Sequence, residues 1–254
     1  MTRPPTELPP FVAYGAAHTL ALGAIAGATV ILVVLLRATA TRPWHATLRR
    51  TVAGGLVVIL FAGAAEGQWE RVAAGQWSLQ ESLPLHLCDI GVFVTIVALI
   101  GAARGRAGRG VYQRCYELAY VWAIGGTSQA VLTPDVANSF PDPVCVRYFF
   151  LHGTVLVAVL VMTLALGWRP LPGAVGRVWV VTLGLAVVVL LVNWVLGANY
   201  MYLCRPPARP SLFDYIGPWP WSLLSLAAVG TVLIALCCLP FRLMERRRAR
   251  RNAQ

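Results

Sequence analysis

A histidine, a cysteine and an aspartate fall within four positions of the stretch Leu83-Pro84-Leu85-His86-Leu87-Cys88-Asp89-Ile90-Gly91, which opens an apolar run continuing to about Gly101. The three side chains suit a nucleophilic relay. A thiolate attacks, an imidazole takes and returns the proton, and a carboxylate orients the imidazole. Ionisable groups at the edge of hydrocarbon usually face a bundle interior or a wet cavity, which makes them a candidate site. At about 100° per residue, a helix over this stretch puts His86 and Asp89 on one face and Cys88 well round from His86. A base for Cys88 is therefore expected from another helix. Pro84 suits a first helical turn, where its missing N–H has no partner to lose.

The elements that must position these groups are membrane spans. Of 254 residues, 58% are hydrophobic and 12% charged, with mean hydropathy +0.67; soluble domains carry about a quarter charged residues. Runs of about 17–25 apolar residues occur at roughly 12–36, 51–68, 84–102, 115–132, 147–167, 178–198 and 219–240. These predict an all-α, polytopic protein: one seven-helix transmembrane domain over residues 1–254, with a basic tail at 241–254. Nothing at the N-terminus reads as a cleavable signal.

Arginine asymmetry predicts the orientation. One set of loops holds Arg37, Arg42, Arg49, Arg50, Arg104, Arg106, Arg109, Arg114, Arg169 and Arg177, followed by six arginines from Arg242 to Arg251. The other holds Arg3, Arg71, Arg147, Arg205 and Arg209. Positive-inside places the N-terminus outside and the C-terminus in the cytoplasm. The net charge of +11 lies between apolar runs, so the loops and tail are expected to meet anionic headgroups rather than nucleic acid. Tyr148, Tyr200, Tyr202 and several tryptophans gather at span boundaries as an interfacial belt with no ligand role. The chain contains no lysine, which excludes Schiff-base chemistry on a lysine amine. Cys145 and Cys204 are expected in outer loops, where a bridge between them is an open alternative.

Depth along these spans brings the polar residues into one layer. His18, Glu66, Gln68, His86, Cys88, Asp89, Ser128, Gln129, His152, Asn193 and Asn199 all fall toward the outer ends, whereas Glu117 lies near an inner end and is expected to pair with a loop arginine. Cys88 is the candidate nucleophile and His152 its first-choice base, with His86 and His18 as substitutes. Asp89 or Glu66 is expected to orient the imidazole. Glu66, Gln129, Asn193 and Asn199 are candidate substrate contacts. The glycines Gly125, Gly126 and Gly153 are candidate helix breaks.

Several segments carry a family resemblance. LPLHLCDIG, YELAYVWAIGGTSQAVLTPD (116–135), RYFFLHGTVLV (147–157), NYMYLCRPP (199–207) and LFDYIGPWPW (212–221) together resemble the YwaF family of integral membrane proteins, and His18 in AAHTLAL falls where that family usually carries a histidine. The resemblance implies phospholipid acyl transfer, with Cys88 at the position of the proposed catalytic cysteine.

The expected function is thus acyl transfer between phospholipids in the cell membrane, through a Cys88 thioester near the outer face and without a cofactor. Two alternatives stay open. His18, His86 and His152 with Asp89 or Glu66 could hold zinc for a lipid hydrolase or amidase, although no HExxH spacing is present. The polar layer could instead line the cavity of a transporter or lipid-binding scaffold.

Overall fold

In lipid every backbone N–H and C=O must be satisfied within the segment, so long apolar runs become helices. The computed structural model describes residues 8–206, 215 and 217–252. Its helices are α1 (Ala16–Ala38), α2 (His45–Ala73), α3 (Leu87–Ala103), α4 (Gly110–Trp122), α5 (Ser128–Leu132), α6 (Pro143–Leu164), α7 (Ala174–Leu196) and α8 (Trp221–Asn252). A π-helical turn, Ala123–Thr127, joins α4 to α5, and a short 3₁₀ turn covers Tyr200–Tyr202. Among the described residues there is no strand, only an isolated bridge from Pro10 to Asn138. Among the described residues five helices are long and apolar enough to cross a membrane: α1, α2, α6, α7 and α8. The apolar α3 has 17 residues, and the run through α4 and α5 is interrupted by the π turn.

Burial separates the centre from the lipid-facing rim. Half of the apolar stretch of α6 is buried, against 11% for α1 and 17% for α7 and α8. Residues such as Leu20, Ile31, Val58, Trp194 and Val195 stand on the outside, as they must where hydrocarbon is the solvent. α3 packs on α2, α4 and α6, while α1 lies on α6. That last approach is close: a Cβ on Gly153 would meet the Ile25 side chain at 2.7 Å. Gly153 is therefore a contact point inside an unbroken helix, whereas Gly125 and Gly126 sit within the π turn that interrupts the run from α4 to α5.

Several boundaries differ from the sequence expectation. α2 runs five residues past Gln68, to Ala73. Pro84 precedes α3 by three residues instead of opening its first turn, because the segment before it is pinned elsewhere, as described below. Cys145 lies inside α6, capped by Asp142, whose carboxylate accepts the Val144 N–H at 2.8 Å. Cys145 and Cys204 are both free. The basic tail continues α8 as helix to Asn252, and Arg3, Glu7, Arg209 and Asp214 lie outside the described residues.

At the Arg-rich end, buried Glu117 gathers the loops. Arg177 of α7 donates to it twice, from Nε at 2.9 Å and Nη2 at 2.7 Å. The Leu171 N–H adds a third bond at 3.1 Å, and Arg114 stands at 3.4 Å. Gln113 extends the hub by donating to the Arg169 carbonyl at 2.9 Å. Removing one member of a buried ion pair strands the other. Arg177→Ala should cost about 3 kcal/mol, read as a lower melting temperature of the detergent-solubilised protein, and an unchanged melt would refute the role given to this pair.

Candidate functional site

The site is built first by a loop. After α7 stops at Gly197, which takes the left-handed conformation (φ 67°), buried Asn193 folds the chain back. Its side-chain Oδ1 accepts the Tyr200 N–H at 2.8 Å and its Nδ2 donates to the Tyr200 carbonyl at 2.9 Å. Asn199 closes the rest of the loop, accepting from the Cys204 and Arg205 N–H groups and donating to the Arg205 carbonyl. Both asparagines, expected to contact substrate, thus commit their amides to loop backbone.

Tyr200 carries that fold to α3. Its buried hydroxyl accepts the Leu83 N–H and donates to the Leu79 carbonyl, each at 2.9 Å. Met201 and Tyr202 then adopt left-handed backbone conformations, φ 57° and 54°, an arrangement that non-glycine residues hold only when their surroundings impose it. The result is specific: the Met201 N–H reaches His86 Nδ1 at 3.3 Å, and the His86 ring lies between Tyr200 and Tyr202, with both centroids at 5.5 Å. Burial, with Asp135 and Cys88 nearby, raises the Tyr202 phenol above its ordinary pKa.

His86 is the N-cap of α3, which puts Cys88 at its second position and Asp89 at its third. The Asp89 carboxylate takes the His86 backbone N–H, the return arm of a capping box. It also lies within Coulombic reach of His152 and Arg71. Cys88 is exposed as a residue, while its thiol sits in a crowded setting near Asp89 and the Tyr148 and Tyr202 phenols.

His152 arrives from α6. Its Nδ1 donates to the Tyr148 carbonyl one turn earlier, at 2.8 Å, and its ring stacks on Tyr148 at 4.3 Å between centroids. Tyr148 is itself held by its hydroxyl, which donates to the Ala130 carbonyl at 2.9 Å. These bonds assign opposite tautomers to the two imidazoles. With its Nδ1–H engaged, His152 keeps a lone pair on Nε2. His86, accepting at Nδ1, keeps a proton on Nε2. One is arranged as a base and the other as a donor. The orienting group for His152 is a backbone carbonyl, where a carboxylate from Asp89 or Glu66 had been expected.

Other expected residues stand apart from this arrangement. His18 is fully buried among Phe11, Tyr14 and Phe149, with Nδ1 accepting the Tyr14 N–H and Nε2 donating to the Val131 carbonyl, each at 2.8 Å. Neither nitrogen is left for proton transfer or a metal, so His18 is a cross-link between α1 and α5. Glu66 and Gln129 are exposed. Among the described residues no three His, Cys, Asp or Glu side chains come together as metal ligands. Three tyrosines assigned only to an interfacial belt (Tyr148, Tyr200 and Tyr202) prove to build the site, and so does Arg71. The spacing Tyr148-x-x-x-His152 was the available signal, since residues four apart share a helix face.

Replacing Asn193 by Leu leaves the backbone N–H and C=O of buried Tyr200 without their partners. We expect a loss of about 1–3 kcal/mol in thermal unfolding and faster alkylation of Cys204 as the loop loosens. Unchanged melting and labelling would show that the loop does not depend on this amide.

Comparison with known proteins corrects the family expected from the motifs. A search of curated proteins and a search of solved structures each returned no match. The profile that matches is described as the TMEM164 family and covers residues 13–238, a span that includes α1 to α7, most of the apolar part of α8 and every segment on which the YwaF resemblance had rested. The chain is a multi-pass membrane protein that belongs to the TMEM164 family.

Proposed function

We propose that this protein transfers an acyl chain between phospholipids of the cell membrane, through a thioester on Cys88. What supports this reading is a set of shared neighbours: Asp89 lies within electrostatic range of both Cys88 and His152, and Tyr148, on which the His152 ring stacks, also lies near Cys88. Seven crossings, with the N-terminus outside, would place the pair at the glycerol depth of the outer leaflet. The distribution of arginine between the two ends supports that orientation.

The steps follow from these groups. His152 Nε2 takes the thiol proton, and the Cys88 sulfur attacks the ester carbonyl of a donor phospholipid. The first N–H groups of a helix have no partners within it, so those at the head of α3 can hold the oxyanion, aided by the helix dipole. Collapse breaks the ester C–O bond, and the departing lysolipid alkoxide takes the proton from His152. The thioester then waits for the hydroxyl of a second lysolipid. His152 accepts that hydroxyl's proton as its oxygen attacks, and returns it to the sulfur as the thiol leaves. Atoms and charge balance with no further reactant. His86, carrying its proton on Nε2, is suited to donate to the lipid's ester or phosphate oxygen, and Arg71 adds positive charge at the same level. The zinc hydrolase alternative has lost one of its ligands, because His18 is tied at both nitrogens.

Purified protein reconstituted with a diacyl phospholipid and an isotope-labelled lysophospholipid should form labelled diacyl product, followed by mass spectrometry. Cys88→Ala should abolish it, and His152→Gln should slow it by about 10²–10⁴-fold, the usual contribution of a general base. A hydroxylamine-sensitive acyl adduct should map to Cys88. Equal turnover by wild type and Cys88→Ala would remove the thiol from the mechanism.

A further inference from the structure

A groove of about 370 Å³ opens between α4 and α7 at the Arg-rich end, far along the bundle from Cys88. It lies within the range of ligand pockets, about 300–1,000 Å³. Its walls include Arg114, Glu117, Leu118, Gly176, Arg177 and Val181. Both helices begin at this end, at Gly110 and Ala174, so two positive dipole ends lie side by side. Arg114 and Arg177 each sit about one turn inside, on opposite walls. Leu118 and Val181 follow one turn deeper on the same faces, as spacing by four dictates.

The charges at the mouth do not cancel. Glu117 neutralises one arginine, and Arg177 spends four of its five N–H donors on Glu117 and on the carbonyls of Pro172 and Leu171. The Arg114 side chain is 53% exposed and meets Glu117 through a single nitrogen at 3.4 Å. Its charge is only loosely compensated, at the mouth of a groove whose walls continue as apolar Leu118, Val178, Val180 and Val181. One cation above one apolar slot matches one anionic amphiphile; a second copy of the chain would bury Arg114 against hydrocarbon without a partner.

We infer that the α4–α7 groove binds an anionic phospholipid of the leaflet at the Arg-rich face, with its phosphate at Arg114 and an acyl chain along Leu118 and Val181. This site is separate from the proposed acyl-transfer chemistry and stands or falls without it. Gly176 offers a clean block, since it lines the groove and a Cβ added there meets nothing within 4 Å.

The test is native mass spectrometry of the full chain released from detergent after titration with phosphatidylglycerol or with chain-matched phosphatidylcholine. Wild type should retain one phosphatidylglycerol in preference to phosphatidylcholine by about fivefold, the worth of one interfacial arginine. Gly176→Leu should lose the adduct at unchanged melting temperature. Arg114→Gln, altered only at an exposed side chain, should bring the two lipids level. Persistence of the adduct in Gly176→Leu would overturn the assignment. So would equal retention of the two lipids by wild type, or a dimer that Gly176→Leu dissociates.

Discussion

The end of the bundle that carries Cys88 depends on one phenol. Tyr200 arrives after α7, where the chain has left its last helix, and its hydroxyl bonds to the backbone on both sides of the turn preceding α3. A single buried side chain thereby couples segments more than a hundred residues apart. Because Asn193 in turn grips the Tyr200 backbone, the connection runs from the body of α7 to the N-cap of α3 through hydrogen bonds alone. Groups this far from water are held firmly, since an unmade bond has no solvent to replace it. The left-handed backbone at Met201 and Tyr202 is a consequence: the chain must turn sharply after a fixed residue, and the turn aims an N–H and an aromatic face at His86.

The two ends of the protein handle ionisable groups in opposite ways. Around Glu117 each carboxylate oxygen is met by guanidinium or backbone donors, which leaves a closed structural joint. Around Cys88 the groups are positioned but not exhausted. His152 and His86 each use one nitrogen for orientation and retain the other. Asp89 reaches backbone at the N-cap and stays within electrostatic range of two imidazoles and Arg71. A joint gains nothing from unused donors or acceptors, whereas the acyl transfer proposed for Cys88 would require them.

The histidines make the same distinction among themselves. In sequence His18 and His152 are each a lone imidazole in an apolar helix toward the same end, with His152 the first-choice base and His18 a substitute. Packing separates them. His18 meets backbone at both nitrogens, because the N-terminal segment folds over α1 and the end of α5 comes alongside. Among the described residues His152 meets backbone at one, the Tyr148 carbonyl of its own helix.

Much of the architecture was legible in the residues. Apolar run length determined where helices form, since the bilayer leaves the backbone no other way to satisfy itself. Arginine asymmetry marked the end at which Glu117 would find a partner. The sequence put His86, Cys88, Asp89 and His152 at one depth together with His18, Glu66, Gln129, Asn193 and Asn199, and of these the packed bundle brings Asp89 within electrostatic range of His86 and His152. What one dimension could not specify was which nitrogen each imidazole keeps, that Asn193 and Asn199 serve the loop, or that three boundary tyrosines belong to the site. Nor could it show that Pro84 lies outside α3. Those outcomes depend on contacts between segments such as 79–83 and 199–202, whose pairing has no periodicity or local propensity to betray it. Helix placement follows from local hydrophobicity; hydrogen-bond partnership at the site follows from which distant backbone groups the packed bundle brings within about 3 Å, and only the tertiary structure decides that.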